Sequence, residues 1–291
     1  MVDAAHAGQR LDQLLPLFVE GLSRRRARVL IDLGGVFVDR HRVKRAGRPM
    51  REGEKVVAHL GGALERATGR TGSAARQADE ARLPPYTVVF EDRHLVVVDK
   101  PAGLLTAPTP ESDRNNLLAL LARRPGAEAV HLVHRLDLPT SGLVLFAKTE
   151  RALSVLAECF RTHALERHYL GLVTGAFPTE LSTLEMPVGG RPARTHVDVL
   201  ERLGTKATLV RCRLETGRTH QIRIHCQKAG HPVLGDRRYG QPTGNDPPRL
   251  ALHATHLGLP HPVTQEPLAW DSPWPEDLAA YTEKLRVSSA P

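Results

Sequence analysis

The densest run of reactive side chains is His134-Arg135-Leu136-Asp137-Leu138-Pro139-Thr140-Ser141-Gly142, where one carboxylate follows an arginine in a stretch stiffened by proline and glycine. A neighbouring guanidinium favours the ionised carboxylate, which can then act as a nucleophile or a base. A structural salt bridge would have the same appearance. A second cluster runs from Thr216 to His225 and holds Arg218, Thr219, His220, Gln221, Ile222 and Arg223 at a predicted strand-to-helix junction, with Gly230 as the helix C-cap. Taken alone, it also reads as a tight turn and a helix with solvated arginines. His131, His134 and Asp137 recur at i, i+3, i+6 in a chain with 15 histidines, so metal binding has to be weighed. Pro139 and the strand that follows argue against the helix needed to gather them, and no zinc-hydrolase glutamate motif accompanies them. Ser141 lacks the nucleophile elbow, and no Walker or dinucleotide glycine pattern is present. No metal site is expected.

Rigid elements must hold these loops. Tyr86 to Phe90, a turn at Glu91 to His94, and Leu95 to Val98 predict a β-hairpin stopped by Pro101. The loop His131 to Ser141 feeds the apolar run Leu143 to Ala147. Helical spacing of Leu153, Leu156, Ala157 and Phe160 predicts a helix, with a strand following over His168 to Val173. From Leu209 to Glu215, Val210, Cys212 and Leu214 face one way and the residues between them the other, as in a half-exposed strand of a largely antiparallel sheet. The expected class is α+β, with a mixed sheet flanked by helices.

A length of 291 residues allows a large domain and a small one. With 40 Lys+Arg against 32 Asp+Glu, the formal charge of +8 attracts polyanions, although RNA, DNA, an acidic membrane or mere solubility would all fit. Cys159, Cys212 and Cys226 lack Cys-x-x-Cys spacing, so neither a disulfide framework nor a cysteine zinc site is indicated and a reducing cytoplasm is the natural compartment. Asp3, Arg10 and Asp12 interrupt any secretory apolar run, and no stretch approaches about 18 consecutive apolar residues, so export and membrane spanning are not expected. Residues 61–83 are small and charged and read as a mobile tether between a basic module, 1–60, and a larger one, 84–285.

In the basic module, Ser23 is placed to cap a helix whose apolar face is Ala27, Leu30 and Ile31 and which ends at Gly34-Gly35. Arg24, Arg25, Arg26 and Arg28 crowd its first turns, where the macrodipole disfavours cations. An external phosphate would resolve that conflict and motivates an RNA-binding expectation; a solvated basic face is the alternative. Arg10-Leu11-Asp12, Ser23-Arg24, Gly35 to Val38 and Arg51 to Glu54 together resemble the small α/β RNA-binding domain named after the fourth small-subunit ribosomal protein. Asp39-Arg40 stands where that family usually has Asn-Gly.

From about Tyr86 to Pro275 the chain resembles the RluA-type pseudouridine synthases. The motifs are Asp99 to Leu104 (DKPAGL), His134 to Lys148 (HRLDLPTSGLVLFAK), Leu214 to Gly240, and Leu252-His253-Ala254. The resemblance implies the pseudouridine synthase fold and isomerisation of uridine in structured RNA. It implies Asp137 as the catalytic aspartate, Tyr169 against the uracil ring, and Arg218 pairing with the Asp137 carboxylate. Arg135 would enter the stack vacated by the flipped base, Leu143 and Ile222 would wall the uracil pocket, and Lys100, Arg223, Arg24, Arg25 and Arg28 would contact RNA. The connection from Met186 to Arg194 looks shorter than is usual in the family. The reaction breaks the bond from ribose carbon-1 to nitrogen-1 and joins ribose to carbon-5, without net redox or hydrolysis, so no cofactor is chemically required. The base must first leave the stack. Asp137 could attack the sugar, add to the ring, or remove a ribose proton. Large-subunit (23S-type) ribosomal RNA is the first expectation for substrate and transfer RNA the second; a cytoplasmic monomer is expected. The rivals are a non-catalytic RNA-binding ribosome-assembly protein and a glycosidase using the same carboxylate.

Overall fold

The computed structural model describes residues 1–20, 22–60, 83–108, 115–124, 129–242, 244 and 246–288, so the expected tether falls outside the described residues except for Leu83. Two compact units are present: Met1–Leu83 with Ala107–Leu120, and Pro84–Thr106 with Leu121–Pro291. Ala107–Leu120 is thus grouped with the small unit, although the expected boundaries assign it to the larger module.

In the first unit, helices α1 (Leu11–Phe18) and α2 (Arg24–Asp32) accompany a three-stranded sheet of β1 (Val36–Val38), β2 (His41–Arg42) and β3 (Val56–Ala58), in the order β2-β1-β3. Leu11, Leu14 and Leu15 of α1 and Ala27, Leu30 and Ile31 of α2 share one apolar core with Val36, Val38 and Met50. Ser23 caps α2 as its type requires, its Oγ accepting from the Arg26 N–H at 3.3 Å. Asp39 and Arg40 both take left-handed conformations, φ 48° and 68°, the shape of a type I′ hairpin turn. Asp39 tolerates it because its Oδ1 accepts from the Lys55 N–H at 2.9 Å.

The second unit is built on a ten-stranded sheet. Its strands are β4 (Thr87–Glu91), β5 (Leu95–Lys100), β6 (His131–Leu132), β7 (Ser141–Ala147), β8 (Glu166–Thr174), β9 (Thr183–Glu185), β10 (Arg194–Leu203), β11 (Ala207–Leu214), β12 (Leu252–Pro260) and β13 (Pro267–Asp271). The order is β4-β5-β7-β12-β8-β11-β10-β9, with β6 on β7 and β13 on β12. β7 and β12 pair in parallel, in a sheet otherwise joined antiparallel. Helix α3 (Leu117–Ala122) falls across the division between the units, and α4 (Glu150–Thr162), α5 (Gln221–Lys228) and α6 (Glu276–Ser288) belong to this one. This is the α+β class expected. β7 is buried along its whole length, and Leu143 and Leu145 pack with Leu95, Val97, Leu156 and Leu257. At Gly142, φ is +110° and an added Cβ would stand 2.2 Å from the Ala254 carbonyl oxygen. Only glycine lets β12 come that close to the strand that follows the Asp137 loop.

Candidate active site

The Asp137 loop is clamped at several points. Thr106 Oγ1 donates to the Leu136 carbonyl at 2.8 Å and accepts from the Leu136 N–H at 3.1 Å. The Thr140 N–H donates to the Asp137 carbonyl at 3.1 Å, closing a turn around the carboxylate. Where the loop enters β7, Ser141 Oγ lies 2.9 Å from His253 Nδ1, and His253 Nε2 lies 3.0 Å from Ser272 Oγ, which in turn donates to Asp99. Burial pushes His253 down to about 4, so the imidazole is neutral at physiological pH.

The Asp137 carboxylate is met by a residue other than the one expected. Asp137 Oδ2 accepts from Arg223 Nη1 at 3.1 Å, whereas Arg218 Nε donates to the Pro192 carbonyl at 3.3 Å and makes no pair with Asp137. The cause lies in α5: Arg218 precedes the helix in the turn, while Arg223 lies inside it, three residues after His220, and the two project on one side. His220 Nε2 stands 3.6 Å from Asp137 Oδ1. His220 is left-handed, φ 58°, and its Nδ1 is 2.8 Å from the Tyr239 hydroxyl.

Asp236 holds Arg223 in turn. Arg223 Nε and Nη2 donate to both carboxylate oxygens at 2.7 and 2.8 Å, and its guanidinium lies over the Tyr239 ring. Burial works against the Arg223 charge, but the Asp236 and Asp137 carboxylates outweigh it and hold the guanidinium more firmly protonated than usual. Burial likewise works against ionised Asp236, and Arg223 with the Arg238 and Tyr239 N–H groups pulls its pKa below the ordinary range. The result is a chain of ion pairs, Asp236–Arg223–Asp137, with Asp137 at its cleft end.

That carboxylate opens into a cleft connected to solvent. Leu136, Tyr169, Leu214, Ile222 and Leu252 give it apolar walls; Arg135, Thr140, Arg218 and His220 add polar ones. Tyr169 sits on β8 between β11 and β12, opposite Cys212 and Ala254. Burial raises its phenol pKa, against the pull of Arg167, so the ring enters the cleft uncharged.

Sequence profiles identify residues 94–228 as RNA pseudouridylate synthase and residues 9–56 as an S4 domain. A relative from Nitrosomonas europaea named ribosomal large subunit pseudouridine synthase D is 41% identical over 237 residues, 72% of this chain and 68% of its own. One from Vibrio vulnificus named ribosomal large subunit pseudouridine synthase C is 32% identical over 306 residues, covering 99% of this chain and 96% of its own. The chain belongs to the RNA pseudouridylate synthase family. Its fold is that of human RNA pseudouridylate synthase domain containing 4, with a TM-score of 0.57 at 23% identity over 73% of this chain and 96% of that one. Human RNA pseudouridylate synthase domain containing 1 gives 0.55 at 25%, over 76% and 99%.

This pseudouridine synthase is an RNA uridine isomerase, and it places the remaining expected residues unevenly. Arg135 is exposed at the cleft. Ile222 lines the cleft, as do Leu214 and Leu252, but Leu143 points into the sheet's core because β7 is buried on both faces. Lys100 offers RNA no surface: it is fully buried, and its Nζ donates to the Pro101 and Leu104 carbonyls at 2.9 and 2.8 Å. Burial lowers it to about 7, against the attraction of Asp137 and Asp99. Arg223 is also buried, occupied by Asp137 and Asp236 rather than by RNA. Arg25 is exposed on α2, with Arg24 and Arg28 partly buried beside it. His131 lies 3.6 Å from Glu150, and buried His134 accepts from the Leu145 N–H at 3.0 Å, so neither turns toward Asp137 as a ligand set would. Among the described residues no helix is long and apolar enough to cross a membrane. Sequence reasoning gave no role to His220, although it lies in the second cluster, nor to Thr106 or Asp236; the Gly235-Asp236 and Tyr239-Gly240 pairs beyond α5 were the available signal for the last.

Proposed function

We propose that this enzyme isomerises uridines of large-subunit ribosomal RNA in the cytoplasm, acting as a monomer and without a cofactor. The observation that supports it most is the Asp236–Arg223–Asp137 chain, which holds one carboxylate in a cleft with both apolar and polar walls and an exposed arginine at its edge. A uridine flipped from the RNA enters that cleft, and Arg135 takes the space it leaves in the stack. Tyr169 lies against the uracil ring, uncharged. Asp137 faces the ribose and labilises the glycosidic bond; attack on the sugar, addition to the ring and removal of a ribose proton all use this same carboxylate. The apolar walls keep water from the freed uracil, which would otherwise be lost with an abasic site left behind. Arg218, on the cleft wall and free of Asp137, contacts the RNA backbone rather than the carboxylate. The substrate assignment is supported by the names of the relatives from Nitrosomonas europaea and Vibrio vulnificus. Pseudouridine mapping of large-subunit ribosomal RNA from cells with and without the gene tests it: at least one site should lose modification, and an unchanged map with loss in transfer RNA would move the assignment there.

A further inference from the structure

Asp12 has no exposed surface, yet three arginines converge on its carboxylate. Arg10 grips it with two bonds, Nε to Oδ1 at 2.9 Å and Nη2 to Oδ2 at 3.2 Å. From α2, Arg24 and Arg28 each bring Nε to 3.4 Å from Oδ2. Gly47 makes room for the first of these, since a Cβ there would lie 3.1 Å from Arg10 Nη2. All three arginines still reach solvent, with side-chain exposures of 40% for Arg10, 33% for Arg28 and 13% for Arg24. Among the described residues, Asp12 is the carboxylate that all three share. The helix-start conflict visible in the sequence is therefore relieved from inside, by a carboxylate on the neighbouring helix.

We propose that Asp12 is a positioning residue for RNA: it gathers Arg10, Arg24 and Arg28 into one fixed basic face that receives the phosphate backbone of a folded RNA. The proposal rests on the RNA-binding reading of the S4 domain. Without an anion at their centre, the three guanidiniums repel one another and disperse. Long side chains ordered in advance spare the entropy of ordering them on contact. Guanidinium groups suit phosphate oxygens, and such contacts fix the register of an RNA without reading its sequence.

The test turns on sign. Asp12→Asn makes the face more positive, so a face acting through net charge alone would bind RNA more tightly. A positioned face binds it more weakly. Using the full chain and a transcript of large-subunit ribosomal RNA, Asp12→Asn is expected to lose about tenfold in affinity, with the slope of log K against log salt shallower by about one, the loss of roughly one phosphate contact. Gly47→Ala, which changes no charge but presses on Arg10, should weaken binding in the same direction, and it decides the matter if Asp12→Asn does not fold. Affinity equal to or above wild type in folded Asp12→Asn, or in Gly47→Ala if the former is unfolded, overturns the proposal. If Arg24→Ala with Arg28→Ala leaves both affinity and slope unchanged, the RNA-binding reading of this domain falls, and the proposal with it. If that double variant binds weakly while Asp12→Asn binds normally, only the proposal falls.

Discussion

Arg223→Lys separates the partner found in the structure from the one the motif suggested. Lysine keeps the positive charge but loses the planar fork that spans both Asp236 oxygens, at 2.7 and 2.8 Å, and still reaches Asp137 at 3.1 Å. A single ammonium cannot hold both carboxylates in that geometry, so it stays with the fully buried Asp236 and releases Asp137. A hydrogen bond to a charged group contributes about 1.5–3 kcal/mol, and about 1.4 kcal/mol on a barrier is tenfold in rate. The expected loss is therefore about 10- to 100-fold in the single-turnover rate, read by tritium release from RNA labelled at uridine carbon-5. RNA affinity should change little, because Arg223 is buried beneath the cleft rather than exposed to solvent. Arg218→Ala in the same assay should slow the chemical step less, since its side chain donates to the Pro192 carbonyl and not to Asp137. A rate within twofold of wild type for Arg223→Lys, together with a collapse for Arg218→Ala, would refute the reasoning.

Asp137→Asn should abolish tritium release while leaving RNA affinity within a few-fold of wild type in filter binding; full turnover would remove the carboxylate from the mechanism. Thr106→Val deletes the hydroxyl that both donates to and accepts from buried Leu136, so it should destabilise by about 2 kcal/mol in urea melts and lower kcat more than it raises KM. Lys100 is about 7 in the folded state against an unfolded value near 10.5, so the unfolded chain binds the extra proton between those limits. Stability must then rise with pH through that window, by up to about 1.4 kcal/mol per pH unit, and the rise should be missing from Lys100→Met when denaturation is followed between pH 7 and 9.

The sequence made some layers of this molecule legible and hid others. Strands such as β7 and β11 show their burial directly in apolar runs and alternation, and Ser23 announces the start of α2. Asp137 could be found because its loop is continuous in sequence. The partner of that carboxylate could not be read, because Arg218 and Arg223 are both arginines of one motif and only the helical phase of α5 decides which reaches it. Lys100 looked available because lysine is usually exposed; its burial depends on three carbonyls, of Pro101, Leu104 and Leu138, supplied by two different loops. Leu143 misled for a related reason, since an apolar residue near a site carries no sign of whether it faces ligand or core. Asp12 was read as a break in an apolar run and as part of a family motif but given no role, because nothing local reveals that residues 10, 24 and 28 all turn toward it.

The place of β12 between β7 and β8 makes completion of the cleft depend on a strand late in the sequence. Ser141 meets His253 across 112 positions of chain, and Leu252 closes the cleft wall, so the sheet on either side of that gap remains split until the late strand is laid in. Contacts of such long range form slowly. A chain without β12 therefore lacks both the Ser141–His253 contact at the end of the Asp137 loop and one wall of the cleft.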